Sequence, residues 1–335
     1  MVVKASPILV VGAGAWGTAL AVHLARNHQC VHLWGHNPVF MQQLYEQRSN
    51  ERYLPGVHFP ESLTVFDDLS LALESVEDVL IVIPSLAFAD FLHQLKELQQ
   101  RSLRIAWGTK GLDPNTAKPL HETVMRVMGS DVAMAIVSGP SFAKEVGQAL
   151  PTAVCVSGNH SDFVTSLTER LHAPCFRVYP NDDFLGVQLC GVMKNVLAIA
   201  MGITAGLDLG ANTRAALLTR GIAEMRRLLS AAGGIESTLL GLAGMGDLVL
   251  TCSDNQSRNR RFGLAIGQGV SIQDAQASVG GEVEGLPNTR QLLALGEALS
   301  VELPITQQVY RILYQGVSPK EGLDSLLSRQ RANME

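Results

Sequence analysis

An α/β domain built on a doubly wound, mainly parallel sheet, followed by an all-α domain, is the fold that this 335-residue chain predicts. Three observations carry that expectation. Short apolar strands alternate with helices through the first half, the βαβ pattern of a parallel sheet with right-handed crossovers. A glycine-rich turn, Gly12-Ala13-Gly14-Ala15-Trp16-Gly17, joins the first strand to the first helix. From Phe184 onward the apolar residues recur at helical spacing. The expected boundary falls near Tyr179–Asp183, giving domains at 1–183 and 184–335.

In chain order, Ile8–Val11, Val31–Trp34, Val79–Ile83, Arg104–Trp107 and Ala133–Val137 read as buried strands, being short, β-branched or aromatic and nearly free of charge. Trp16–His28, Phe88–Gln99 and Pro119–Met128 are the helices between them. Ala153–Ser157 and Phe176–Tyr179 add two strands around a helix at Asp162–Leu171. The second domain contains the long apolar run Leu185–Ile203, then helices at Arg214–Ala231, Arg258–Gly267, Ser271–Val279, Thr289–Ala298, Thr306–Leu313 and Pro319–Leu327, placed by periodicity and by start and stop residues.

Hydrophobic residues at 47% and charged residues at 17% are enough to build two large cores, and a net charge of −5 argues against a nucleic-acid binder. The five cysteines are scattered and form no C-x-x-C pair, so neither a disulfide framework nor a metal site is expected, and a reducing cytoplasm fits. The N-terminus lacks a long apolar signal region, and Gln188, Lys194 and Asn195 inside Leu185–Ile203 make a lipid-facing span costly. That run is expected to be a buried helix, and the apolar helical domain is expected to support a homodimer.

The glycine-rich turn has the G-x-G-x-x-G spacing of a Rossmann dinucleotide site. Gly12 makes the tight turn, Gly14 lets a pyrophosphate approach the backbone, and Gly17 lets helix and strand pack closely. The helix start then offers N–H groups to phosphate. A plain glycine turn, or a methyltransferase cofactor, shares this shape. Trp34-Gly35-His36-Asn37-Pro38 after the second strand carries no acid to repel a ribose 2′-phosphate. His36 and Asn37 are candidate donors to one, which tilts the cofactor towards NADPH with NADH tolerated; a solvated loop is the alternative for His36.

Lys194 is the only charged residue of Phe184–Leu207. A buried ammonium costs several kcal/mol unless paired or deprotonated, so a helix that only packs does not select it. Desolvation lowers a lysine pKa towards the range of proton transfer near neutrality; snorkelling from a helix end is the alternative. Asp247, between glycines and an apolar run, is its natural partner, with an N-cap role as the alternative. Lys110 follows one strand and Gly139 and Ser141 another, at the ligand-facing ends of a doubly wound sheet. Lys110 is a candidate anion holder or a surface lysine, and Gly139-Pro140 a donor loop or a turn. Ser257, Arg258 and Asn259 open a helix beside Arg260 and Arg261, a phosphate site or a solvated basic face. Val283 and Glu284 precede a helix and reach a cofactor or form an acidic first turn.

Six blocks in order resemble the bacterial NAD(P)-dependent glycerol-3-phosphate dehydrogenases: Gly12–Leu20, Ala106–Leu112, Val137–Glu145, Gly191–Asn195, Gly244–Leu248 and Asn255–Gly263. The resemblance implies interconversion of dihydroxyacetone phosphate and sn-glycerol 3-phosphate, supplying phospholipid synthesis, with NADPH or NADH. It implies Lys194 as the catalytic lysine with Asp247 beside it. Lys110, Gly139, Ser141, Lys194, Asp247, Ser257, Arg258 and Asn259 fall on its substrate side. Gly12, Gly14, Ala15, Trp16, Gly17, His36, Lys110, Ala143, Arg258, Val283 and Glu284 fall on its cofactor side. One departure is Ala205, where the family often carries an acid before the glycine. A hydroxy-acid or sugar-acid dehydrogenase with the same lysine plan is the nearest rival. A non-catalytic NADPH-binding regulator is the rival from another class.

Overall fold

The computed structural model describes residues 6–328 and divides the chain into two compact units. The first holds Met1–Thr109 and His121–Phe184; the second holds Lys110–Leu120 and Leu185–Glu335. The excursion of Lys110–Leu120 into the second unit has no signal in the sequence pattern. It lies between two strands of the first sheet, yet Leu112 is fully buried in the second unit's core.

The first unit runs β1 (Ile8–Val11), α1 (Ala15–Arg26), β2 (Val31–Trp34), α2 (Pro38–Gln47), β3 (Ser49–Asn50), β4 (Leu54–His58), β5 (Leu63–Phe66), α3 (Leu69–Ala72), β6 (Asp78–Ile81), α4 (Phe88–Leu98), β7 (Arg104–Trp107), α5 (Leu120–Met128), β8 (Met134–Ser138), α6 (Ala143–Gly147), β9 (Thr152–Gly158), α7 (Ser161–Leu171) and β10 (Phe176–Pro180). Its 8-stranded sheet has the order β10-β9-β8-β7-β6-β1-β2-β5. All neighbours are parallel except β8 and β9. Strand order reverses beside β1, so the turn after β1 stands at the topological switch point, where ligands bind in such sheets. The β3–β4 hairpin, β5, α2, α3 and α6 go beyond the elements expected from the sequence.

The second unit is helical: α8 (Phe184–Gly206), α9 (Ala211–Ala231), a 3₁₀ turn (Glu236–Leu240), a π turn (Leu242–Gly246), α10 (Asp247–Ser253), α11 (Arg258–Gly267), α12 (Ile272–Ser278), α13 (Gly285–Ala298), α14 (Pro304–Gln315) and α15 (Pro319–Ser328). By length and composition α8 passes for a membrane span, but 89% of its apolar window is buried within the protein. It is the unit's central helix, covered from Gly186 to Thr204.

Gly202 and Gly206 on α8 meet Gly263 and Gly267 on α11. A Cβ at any of the four would strike a main-chain carbonyl oxygen of the opposite helix. The i, i+4 spacing puts each pair on one face, and their lack of a Cβ lets the two backbones touch. The crossing sets Asn259 on α11 against Asn195 on α8, with Asn259 Nδ2 donating to Asn195 Oδ1 at 3.0 Å.

Candidate active site

Lys194 lies in the middle of α8 and is 7% exposed, so it does not snorkel. Its Nζ donates to Asp247 Oδ1 at 2.5 Å and to Thr251 Oγ1 at 3.0 Å. Lys110 Nζ donates to the other oxygen, Asp247 Oδ2, at 2.7 Å. One carboxylate thus holds two ammoniums. Asp247 is the first residue of α10 and Gly246 is its N-cap, so the side chain does not cap the helix. Thr251 stands one turn further on the same face and donates to Asp247 Oδ1 at 3.3 Å.

These charges shift one another. Burial pushes the Asp247 carboxyl up, but Lys110 and Lys194 outweigh it and hold the group below the usual carboxylate range. Burial pulls Lys194 down; Asp247 opposes and Lys110 adds to the fall, leaving it at about 8. Burial works against the Lys110 ammonium as well, but Asp247 prevails and its pKa is raised. Lys110, Lys194 and Arg258 outnumber Asp247 and Glu284, so one positive charge stays in excess around the desolvated triad even with both acids ionised. That favours an anionic ligand or an oxygen gaining negative charge.

Around the triad runs a polar frame. Asn195 Nδ2 donates to Glu284 Oε2 at 3.2 Å, and Gly285 N donates to Asn259 Oδ1 at 2.9 Å. Burial raises the Glu284 carboxyl, opposed by Arg258, Lys110 and Lys194. Asn259 is therefore a brace between α8, α11 and α13 more than a free donor. Ser257 caps α11, accepting from Arg260 N at 3.2 Å. The basic cluster separates in function. Arg260 is spent on Cys252 O and Asn255, and Arg261 on the carbonyls of Asn255, Gln256 and Val279. Arg258 is exposed and has no ion pair or side-chain hydrogen bond among the described residues, so it alone of the three has its guanidinium to offer. Val283 puts its side chain into the apolar core.

The remaining candidates lie in the first unit. Gly12 has φ +112°, and its N–H donates to Trp34 O at 2.8 Å. A Cβ at Gly17 would collide with Gly12 O, whereas one at Gly14 would enter open space. Gly14 caps α1 without a side chain, so no side chain claims the N–H groups of its first turn. The Trp16 indole N–H is buried without a partner. An open cradle with unclaimed donors at a switch point fits a dinucleotide pyrophosphate. His36 is exposed beyond β2, and Asn37 caps α2, accepting from Phe40 N at 3.0 Å. Ser141 Oγ donates to Gly139 O at 2.8 Å beyond β8, and Ala143 opens α6.

Three residues carry no role in the sequence reading. Thr251 signals itself only by its i+4 spacing from Asp247. Asn195 is a polar neighbour of Lys194 in an apolar run. Asn288, fully buried on α13, donates from Nδ2 to Lys110 O at 3.3 Å, a tie that no local pattern announces.

Comparison with known proteins converges with this geometry. Residues 7–164 match the family of NAD-dependent glycerol-3-phosphate dehydrogenase N-termini, and residues 183–324 match that of the C-termini. The glycerol-3-phosphate dehydrogenase [NAD(P)+] of Shewanella frigidimarina is 50% identical over 98% of this chain and 97% of its own. That of Coxiella burnetii is 53% identical over 96% of this chain and 97% of its own. A crystal structure of glycerol-3-phosphate dehydrogenase from Coxiella burnetii superposes with a TM-score of 0.94 at 52% identity, covering 97% of this chain and 99% of that one. With the glycine cradle and Lys110 inside the first match and Lys194 and Asp247 inside the second, the chain belongs to the NAD-dependent glycerol-3-phosphate dehydrogenase family.

Proposed function

We propose that this protein reduces dihydroxyacetone phosphate to sn-glycerol 3-phosphate with NADPH or NADH, reversibly, and so supplies glycerol 3-phosphate for phospholipid synthesis in a reducing cytoplasm. The observation that carries the reading is the buried Lys110–Asp247–Lys194 triad with its unbalanced positive charge. Gly12, Gly14, Ala15, Trp16 and Gly17 hold the dinucleotide, with His36 at its ribose end. When bound, the reduced nicotinamide supplies hydride to the carbonyl carbon.

Lys194 Nζ donates its proton to the carbonyl oxygen as that oxygen gains charge, and takes the hydroxyl proton in the reverse direction. Lys110 and Lys194 together stabilise the developing alkoxide in a place where water is excluded. Asp247 fixes both ammoniums, and Thr251 fixes the direction of Lys194. Arg258, beside the Ser257-capped start of α11, holds the substrate phosphate, and Asn259 braces that helix start against α8 and α13. Gly139 and Ser141 line the substrate side, and Ala143 and Glu284 the cofactor side, where Val283, its side chain in the core, has only its main chain to offer. The assembled enzyme is a homodimer, which sedimentation of the intact protein measures.

The test is oxidation of NADPH and NADH with dihydroxyacetone phosphate by wild type and Lys194→Ala. The variant should lose about 10²–10⁴-fold in kcat, the usual worth of a positioned proton donor, while its NADPH affinity stays near that of wild type. A variant kcat within a few-fold of wild type removes Lys194 from this role. Turnover of a hydroxy acid in place of the phosphate ester overturns the substrate assignment.

A further inference from the structure

We propose that Arg52 recognises the 2′-phosphate of the phosphorylated nicotinamide nucleotide and thereby sets a preference for NADPH over NADH; the inference rests on the dehydrogenase reading above. It starts from the β3–β4 hairpin, which the sequence pattern left unassigned. Asn50, fully buried in that hairpin, donates from Nδ2 to Ala13 O at 3.0 Å and to Thr18 Oγ1 at 2.8 Å. Ala13 lies inside the glycine-rich turn, so the hairpin is fastened directly to the cofactor cradle. Asn50 Oδ1 also accepts from Tyr53 N at 3.2 Å, which fixes the turn that carries Arg52.

From that turn the Arg52 guanidinium reaches two rings. It stands 5.0 Å from the centroid of Tyr53 and 5.9 Å from that of Phe40, and the rings meet edge-on at 5.6 Å. Phe40 belongs to the first turn of α2, whose cap, Asn37, follows His36 at the end of β2. Arg52 is thus tied on one side to the turn after β1 and on the other to the helix after β2. Between those two features a sheet of this kind places the adenosine ribose.

The charge balance agrees. Arg52 is exposed and has no ion-pair partner among the described residues. Its neighbour Glu51 is turned to Gly56 N, accepting at 3.1 Å. Trp34–Pro38 contributes no carboxylate that would bond a free 2′-hydroxyl or repel a phosphate. A guanidinium resting on aromatic faces keeps its N–H fork open, and that fork matches phosphate oxygens two at a time. The two rings also restrict the side chain before any ligand arrives, which lowers the ordering cost of binding.

The experiment is calorimetric binding of 2′-phospho-ADP-ribose and ADP-ribose to the full-length protein, as wild type, Arg52→Ala and Arg52→Lys. Wild type should favour the phosphorylated fragment. Arg52→Ala should weaken it by about ten- to a hundredfold, the worth of a charge-assisted phosphate contact, and leave ADP-ribose within about twofold. Arg52→Lys keeps the charge without the fork and should fall between. The same split should appear in kcat/KM for NADPH against NADH. Equal losses for both fragments in Arg52→Ala, or a wild type indifferent to the 2′-phosphate, overturns the assignment. A wild type that binds as expected but does not reduce dihydroxyacetone phosphate overturns the substrate reading, while the fragment affinities still decide Arg52.

Discussion

At the scale of single residues, the triad makes the enzyme's pH dependence a statement about electrostatics. Lys194 titrates at about 8. In the reducing direction the protonated form is the donor, so kcat/KM should hold below that pH and fall above it. In the oxidising direction the neutral form is the base, so kcat/KM should rise through the same value. Burial sets that position together with two charges, and the charges can be removed separately. Lys110→Met deletes a positive neighbour and leaves Asp247 to Lys194 alone, which moves the limb to higher pH. Asp247→Asn leaves two ammoniums facing each other without an anion. The limb then moves to lower pH, and the fold loses about 3–5 kcal/mol, the cost of a buried charge deprived of its partner. pH profiles in both directions, with denaturant unfolding of each variant, check this; limbs that stay together in all three proteins would detach the profile from Lys194. Lys194 and Asp247 were legible in the sequence because a charge in an apolar run is an energetic anomaly. Thr251 was not, because a helical threonine is ordinary. Nor did composition distinguish Arg258 from Arg260 and Arg261, since only geometry shows which guanidiniums are spent on carbonyl oxygens.

At the scale of elements, the site depends on how closely α8 and α11 approach. Gly263→Ala puts a methyl group into the Ile199 carbonyl, a main-chain group that cannot turn aside. The helices must then separate, at about 1–3 kcal/mol for overpacking. The Asn195–Asn259 hydrogen bond spans that crossing, so the variant should show a lower melting temperature together with a raised KM for dihydroxyacetone phosphate. An unchanged KM in a destabilised variant would confine the crossing to a packing role. Asn288 on α13 acts on the other arm of the triad. Asn288→Leu keeps the volume but loses the donor to Lys110 O, and Lys110 should loosen from Asp247. The expected readout is the upward shift of the Lys194 limb predicted for Lys110→Met, only smaller; a normal profile would make Asn288 a structural residue alone. The long helices and central strands announce themselves by periodicity and length. The β3–β4 hairpin does not. Ser49–Asn50 is too short to show a pattern, and the alternating burial of Leu63–Phe66 covers a single short strand at the sheet's edge.

At the scale of the whole molecule, the chain's path matters more than its halves. The change from alternating to helical pattern near Phe184 is a composition signal and was readable. The excursion of Lys110–Leu120 is a tertiary choice, and its local sequence, rich in turn residues, gives no hint of which core it joins. Yet it supplies the second unit with Leu112, fully buried in the core, and with Lys110, one arm of the triad. It is locally rigid. Asp113 accepts from Asn115 N at 2.9 Å and from Thr116 N at 3.0 Å, and Leu112 pairs with Pro119 in an isolated bridge. A fragment starting at Leu185 therefore contains nearly all the helices of the second unit but has a hole where Leu112 sits and an Asp247 with one of its two ammonium partners. Truncating one large core residue already costs about 2–5 kcal/mol, a large share of the 5–15 kcal/mol that holds a typical domain together. The fragment should keep helical far-UV dichroism while losing near-UV signal and binding a hydrophobic dye. In the intact chain, Leu112→Ala should lower the unfolding midpoint without moving the pH limb of Lys194, because it leaves Lys110 in place. Cooperative unfolding of the isolated fragment, with a midpoint near that of the full protein, would show that the excursion is decoration and that the boundary near Phe184 divides the molecule completely.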